Sequence, residues 1–178
     1  TKSYDTSLNL MSENYKEAFS KTRLAGSIAA GALDEVAKIV KPGIRTKEID
    51  KLCYEFINDH KAFSAPLFYR GFPKSCCTST NHVVCHGIPS EKELKEGDIV
   101  NVDVTAVKDG WHGDTSRTFE IGEVSIKAKK LVKVTYEAMM KAINIVKEDI
   151  HLGDIGATIQ KHVEAEGFSV VQDFCGHG

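Results

Sequence analysis

The sequence predicts an α+β fold in which helix pairs back an antiparallel sheet, and three observations carry that prediction. Apolar residues recur at helical spacing over residues 12–40, and again through Ile49, Leu52, Cys53, Phe56 and Ile57. Polar and apolar residues then alternate through GDIVNVDVTAVKDGWHGDTSRTFEI at 97–121, the pattern of two strands joined at Asp109-Gly110. Third, the run helix, turn, helix, strand returns further on. Ile39-Val40-Lys41-Pro42-Gly43-Ile44 matches Ile145-Val146-Lys147-Glu148-Asp149-Ile150, and Ile49 matches Ile155, at a constant separation of 106 residues.

Length and composition bound what such a fold can do. A chain of 178 residues with a 42% apolar fraction suits one domain with a real core. Net charge is −2 and basic residues are scattered, which argues against a nucleic-acid footprint or a membrane-surface patch. Five cysteines without a CxxC pair fit a reducing compartment better than a disulfide framework. No apolar run reaches spanning length and the polar start TKSYDTSLN has no signal-peptide core, so the cytoplasm is the expected location.

Taken in order, residues 1–10 read as a loose polar lead-in, and a long helix free of proline follows from about Ser12 until Pro42-Gly43 stops it. Thr46 is the expected N-cap of a second helix that ends near Lys61. Residues 62–89 are short strands broken by Pro66, Gly71, Pro73 and Gly87, a composition that suits a pocket wall or a plain connector. His86 follows the expected strand Val83-Val84-Cys85 and precedes a sharp turn at Gly87. There a histidine can donate to a carbonyl, serve as acid or base, or be structural. Beyond the hairpin, helices are expected over 127–147 and 152–166, with a strand over 168–171.

The hairpin is the informative element. A two-residue type I′ turn at Asp109-Gly110 sets Lys108 opposite Trp111, Thr105 opposite Asp114 and Asp103 opposite Ser116. Asn101, Asp103, Thr105, His112, Asp114 and Ser116 then share one face, while Val100, Val102, Val104 and Phe119 take the other. Asp103 and Asp114 become diagonal neighbours, roughly 7–8 Å apart at Cα. Carboxylates so placed repel unless a cation lies between them. They read either as metal ligands or as a turn cap and a partner for a surface lysine. A three-residue loop would separate them onto opposite faces.

Several segments together, KTRLAGSIAAGAL, NHVVCHGIP, GDIVNVDVTAVKDGWHGDTSRTF and EAEGFSVVQDFCGHG, resemble the type I methionine aminopeptidases of bacteria, from about Tyr15 onward. The resemblance implies the duplicated pita-bread fold, a curved antiparallel sheet backed by two helix pairs, with its second half incomplete here. In that reading 1–178 is a single catalytic domain, with an N-terminal extension over 1–14, a first pseudo-repeat over 15–121 and a partial second over 122–178. It further implies a centre of two divalent ions (Mn, Fe, Co or Zn), with Asp103 on one ion, Asp114 bridging both and His177 on one. His86 would meet the substrate near the scissile amide, and Tyr69, Phe72 and Cys77 would wall the methionine pocket. Implied partners are the N-termini of nascent polypeptides acted on by a monomer, with a ribosome contact left open.

The chain also departs from the family. Two glutamates and a further histidine that the family supplies after the GHG motif do not occur in it, so a fragment without turnover of its own is expected. Arg70 stands where a histidine is common and Pro66 where a cysteine is. Two other readings stay in play: a proline-specific peptidase of the same fold, and a non-catalytic peptide-binding module derived from it.

Overall fold

A 37-residue helix, α1 (Ser3–Ile39), opens the chain in the computed structural model, which describes residues 3–177. The helix begins nine residues before the expected start at Ser12 and replaces the loose lead-in over residues 3–10, residues 1 and 2 lying outside the described residues. No glycine or proline occurs before Gly26, so nothing in the sequence interrupts the helix. Ala25, Ile28, Ala29, Ala32, Leu33 and Val36 form its buried stripe. It ends where expected, with Gly43 at φ 91°.

Helix α2 (Thr46–Asp59) differs from expectation at its cap. Arg45, not Thr46, is the N-cap residue, and its backbone N–H donates to Glu48 Oε2 at 2.8 Å. The Thr46 hydroxyl is drawn into the fold instead, accepting from Ser90 N at 2.9 Å and donating to Ser90 O at 3.2 Å. Ile49, Cys53 and Ile57 of α2 are fully buried against α1 and the sheet.

The sheet has four strands, β1 (Phe63–Ser64), β2 (Cys77–Thr80), β3 (Ile99–Lys108) and β4 (Trp111–Glu120), all antiparallel to their neighbours. β4 takes the whole of one edge of β3, so β1 and β2 share the other, β1 against Ala106 and Val107 and β2 against residues 100–103. On the face toward the helices, Val100, Val102, Val104 and Ala106 are fully buried. Each valine so buried contributes about 1.5–3 kcal/mol. Asp50 of α2 accepts Ser75 N at 2.7 Å and Cys76 N at 3.1 Å, which fixes the approach of the chain into β2. The expected strand over 83–85 is absent. Val83 N turns back to Thr80 O, so the segment leaves the sheet instead of extending it.

These elements form a first unit that ends at Val124, and a second begins at Ser125. The second holds α3 (Ile126–Asn144), whose N-cap Ser125 accepts from Ala128 N, and α4 (Leu152–Ala165). In it His162 accepts from Lys141 Nζ at Nδ1 (2.8 Å) and donates from Nε2 to Glu137 (3.2 Å), joining the two helices.

The repeat suggested by a handful of identities is carried far more clearly by the backbone. Helices α2 and α4 each have 14 residues and start 106 residues apart. The N-cap pair Arg45–Glu48 has its counterpart in His151 N donating to Asp154 Oδ2 at 2.9 Å. Gly43 and Asp149, then Lys61 and Gly167, take positive φ at matching positions. Even the closing bonds agree, Ala62 N to Ile57 O and Phe168 N to Val163 O. The correspondence then breaks. Residues 168–171 match β1 and run on past it, yet they form no strand, because no strand among the described residues of the second unit pairs with them.

Candidate functional site

The β3–β4 hairpin has the expected register. Asp109 and Gly110 take φ of 51° and 84°, the two left-handed positions of a type I′ turn. Lys108 pairs with Trp111, Thr105 with Asp114 and Asp103 with Ser116. Asp103 and Asp114 therefore sit diagonally on one face, the face turned away from Val102 and Val104. Asp103 is half-buried and Asp114 exposed.

Two features hold that face in shape. Thr105 Oγ1 donates to Asp114 Oδ1 at 2.9 Å, and Asn101 Nδ2 donates to Thr118 Oγ1 at 3.1 Å and to Ser116 Oγ at 3.4 Å. Behind it, Gly113 lies directly on α1: a Cβ there would meet Gly26 N at 2.1 Å and Ala25 C at 2.2 Å. The strand that carries Asp114 thus touches the helix backbone, which the missing side chain at Gly113 permits.

Cys77 reaches the same face from the other edge of β3, where it pairs with Asp103. Its thiol is pushed up to about 11, first by burial, then by the charge of Asp103, Cys85 and Asp114. Both carboxylates act on one thiol, so their negative potentials overlap. That concentration of hard oxygen donors fits a divalent cation. Asp103 and Asp114 are nevertheless only part of a ligand set, and no group of three or more His, Cys, Asp or Glu among the described residues is gathered to hold an ion. His177 belongs to the second unit, exposed in its irregular tail.

The raised thiol has a direct consequence. In the metal-free protein Cys77 is neutral at pH 8, so alkylation by iodoacetamide is expected to be at least about tenfold slower there than at exposed Cys175. The Cys77 rate is expected to climb only as pH approaches 11. The folded chain holds this proton more tightly than the unfolded chain does, so this group makes stability fall as pH rises above the ordinary thiol range. Mass spectrometry of peptides from protein alkylated at successive pH values reads the profile.

His86 is not at a strand end. It stands in an irregular loop with φ 55°, a left-handed conformation that is uncommon for a side chain of its size. The next residue fixes it: Gly87 N donates to Ser79 Oγ, Gly87 O accepts from Thr78 N, and a Cβ on Gly87 would lie 2.2 Å from Thr78 O. The loop is clamped to β2, and through β2 to the strand of Asp103.

Tyr69 opens a short 3-10 turn (Tyr69–Gly71) in the chain between β1 and β2, and Phe72 follows it. That connection starts at the hairpin, where Ala65 N donates to Thr105 O at 2.9 Å, and returns to it at Cys77 opposite Asp103. Phe68 and Arg70 both take positive φ within it, and the Arg70 guanidinium lies 5.5 Å from the centre of the exposed Tyr69 ring. Sequence reasoning missed Thr105 as a partner of Asp114, although the register alone placed the two opposite each other. It also missed the Gly113 and Gly87 contacts, for which the sequence offers no signal beyond the glycines themselves.

Residues 20–178 match the profile of Metallopeptidase family M24. The chain is 56% identical over 160 residues to a methionine aminopeptidase of Rickettsia prowazekii, covering 90% of this chain and 62% of that protein. It superposes on the crystal structure of methionine aminopeptidase from Rickettsia prowazekii with a TM-score of 0.90 and 55% identity, covering 92% of this chain and 66% of that one. A prolidase from Pyrococcus furiosus shares the fold alone, with a TM-score of 0.73 at 20% identity over 85% of this chain and 44% of that one. The fold is thus the pita-bread α+β arrangement, and the chain spans about three fifths of the curated relative's length.

Proposed function

Because the chain belongs to metallopeptidase family M24, we propose that the protein is a metal-dependent aminopeptidase that releases methionine from the N-termini of nascent polypeptides. The observation that carries this is the convergence of Asp103 and Asp114 on the polar face of the hairpin. In this reading Asp103 and Asp114 would hold divalent metal, and the family resemblance alone implies a ligand role for His177 as well. When bound, the metal would supply Lewis acidity and lower the pKa of water enough to make hydroxide available near neutral pH.

The remaining work falls to the chain's own side chains. His86, held in its clamped loop, donates a hydrogen bond to the substrate at the scissile amide, where negative charge develops on the carbonyl oxygen. Tyr69 and Phe72 wall the methionine side chain. Cys77, buried opposite Asp103, offers that side chain a soft apolar contact. The family's single catalytic domain, with pseudo-repeats over 15–121 and 122–178 and an extension over 1–14, is the organisation proposed, acting as a cytoplasmic monomer on chains leaving the ribosome. No helix among the described residues is long and apolar enough to cross a membrane. The much higher identity to methionine aminopeptidases than to the prolidase, 56% against 20%, favours methionyl over Xaa-Pro substrates.

The test is direct. The full-length protein loaded with Mn or Co is expected to release methionine from a Met-Ala-Ser peptide, to lose that activity to a chelator and to regain it when metal is restored. Release from Xaa-Pro dipeptides alone, or no release with any divalent ion, would overturn the proposal.

A further inference from the structure

We propose that Thr105 is the positioning residue for Asp114, fixing by its hydroxyl the orientation in which that carboxylate meets metal. This rests on the reading of Asp114 as a metal ligand given above. The two residues are direct partners across the ladder, and Thr105 Oγ1 is 2.9 Å from Asp114 Oδ1. A carboxylate can only accept, so the hydroxyl is the donor, and its single proton is committed to one chosen oxygen.

Thr105 is well suited to impose a direction on its neighbour. A β-branched side chain has few χ1 choices, so the hydroxyl is held where the backbone places it. The backbone is itself pinned on both sides: Thr105 lies mid-ladder against β4, and its carbonyl accepts Ala65 N at 2.9 Å, where the connection carrying Tyr69 and Phe72 leaves the sheet. Asp114, by contrast, is exposed. An exposed aspartate ordinarily samples several rotamers, and ordering it on binding would cost affinity. On the same face the Asn101 amide donates to Ser116 and Thr118. Thr105 therefore joins two parts of the site, the ligand through its side chain and the start of the pocket wall through its carbonyl.

Valine keeps the shape of threonine and removes the donor, while serine keeps the donor and loosens χ1. Mn²⁺ binding to the full-length protein, measured by calorimetry and by the electron paramagnetic resonance spectrum of the bound ion, separates these roles. T105V is expected to bind Mn²⁺ about 10- to 100-fold more weakly than the parent with an altered spectrum. Its metal-free thermal midpoint should be unchanged, and T105S should recover most of the affinity. D114N is the reference for loss of the ligand. If T105V binds as the parent does while D114N does not, the positioning role is wrong and the metal-site reading stands. If D114N also binds as the parent does, the reading of Asp114 fails, and the proposal fails with it. If T105S is as weak as T105V, the hydroxyl is not the cause and the proposal is likewise overturned.

Discussion

Replacing Gly113 with alanine is expected to destabilise the first unit by at least about 3 kcal/mol, because the new methyl group has no space at all. Its carbon would lie 2.1 Å from Gly26 N, 2.2 Å from Ala25 C and 2.5 Å from Ala25 O, all backbone atoms of α1. No rotamer change relieves a clash between Cβ and backbone. The helix and strand β4 must separate instead, and the packing of Ala25, Ile28, Ala29 and Ala32 against the sheet loosens along the whole contact. For a protein of this size that corresponds to a fall of roughly 6–12 °C in thermal midpoint. Gly26 is the matched control. Nothing lies within 4 Å of a Cβ built there, and alanine in a helix interior is worth up to about 1 kcal/mol over glycine, so G26A should be neutral or stabilising. Urea unfolding of the two variants side by side decides the matter. A G113A protein as stable as the parent would show that α1 and β4 do not meet as described. The same variant should also weaken metal binding, since Gly113 immediately precedes Asp114 on the strand that the helix supports.

D103N is expected to lower the peptidase activity of the full-length protein by about a thousandfold or more while leaving the fold intact. The amide removes one negative charge and one hard oxygen donor from a face where two carboxylates jointly act on Cys77. In the folded chain Asp103 is half-buried on the polar side of the ladder, so an isosteric amide fits without repacking. Loss of activity should therefore come with unchanged thermal stability of the metal-free protein, and with reduced stoichiometry or affinity for Mn²⁺ in calorimetry. Two outcomes count against the proposed site. Full activity in D103N would remove Asp103 from the metal centre, and a collapse in stability would make its role structural.

The fold and the candidate site were legible to different depths. The hairpin was readable in detail because a side-chain period of two and a two-residue turn leave no freedom: once Asp109-Gly110 is the turn, the partner of every residue from Ile99 to Glu120 follows. The helices were readable from their apolar stripes, and their ends less so. Thr46 has the composition of a cap, yet Arg45 occupies that position because Ser90, 44 residues away, competes for the threonine hydroxyl. Residues 83–85 look like a strand by composition and are not one, since strand formation needs an edge to pair with and Thr80 and Gly87 direct the chain elsewhere.

The repeat shows the same division from the other side. Sequence identity between the copies is slight, because different side chains fill the cores: Ile28, Ala32 and Val36 in α1 correspond to Val134, Ala138 and Ala142 in α3, buried in both. What the copies share is a backbone path with positive φ at the same places, and many residue types tolerate that path.

By itself, then, the sequence determined the local periods, the turn, the register of Asp103 against Asp114 and the family resemblance. These depend on residues close together in the chain. Only the tertiary structure decided that Gly113 rests on the backbone of α1, that Gly87 clamps His86 in a left-handed conformation against β2, and that the Tyr69–Phe72 connection leaves and rejoins β3 beside the two aspartates. Those are contacts between segments distant in sequence. They are set by steric fit and hydrogen-bond completion in the packed molecule, which no pattern along the chain encodes.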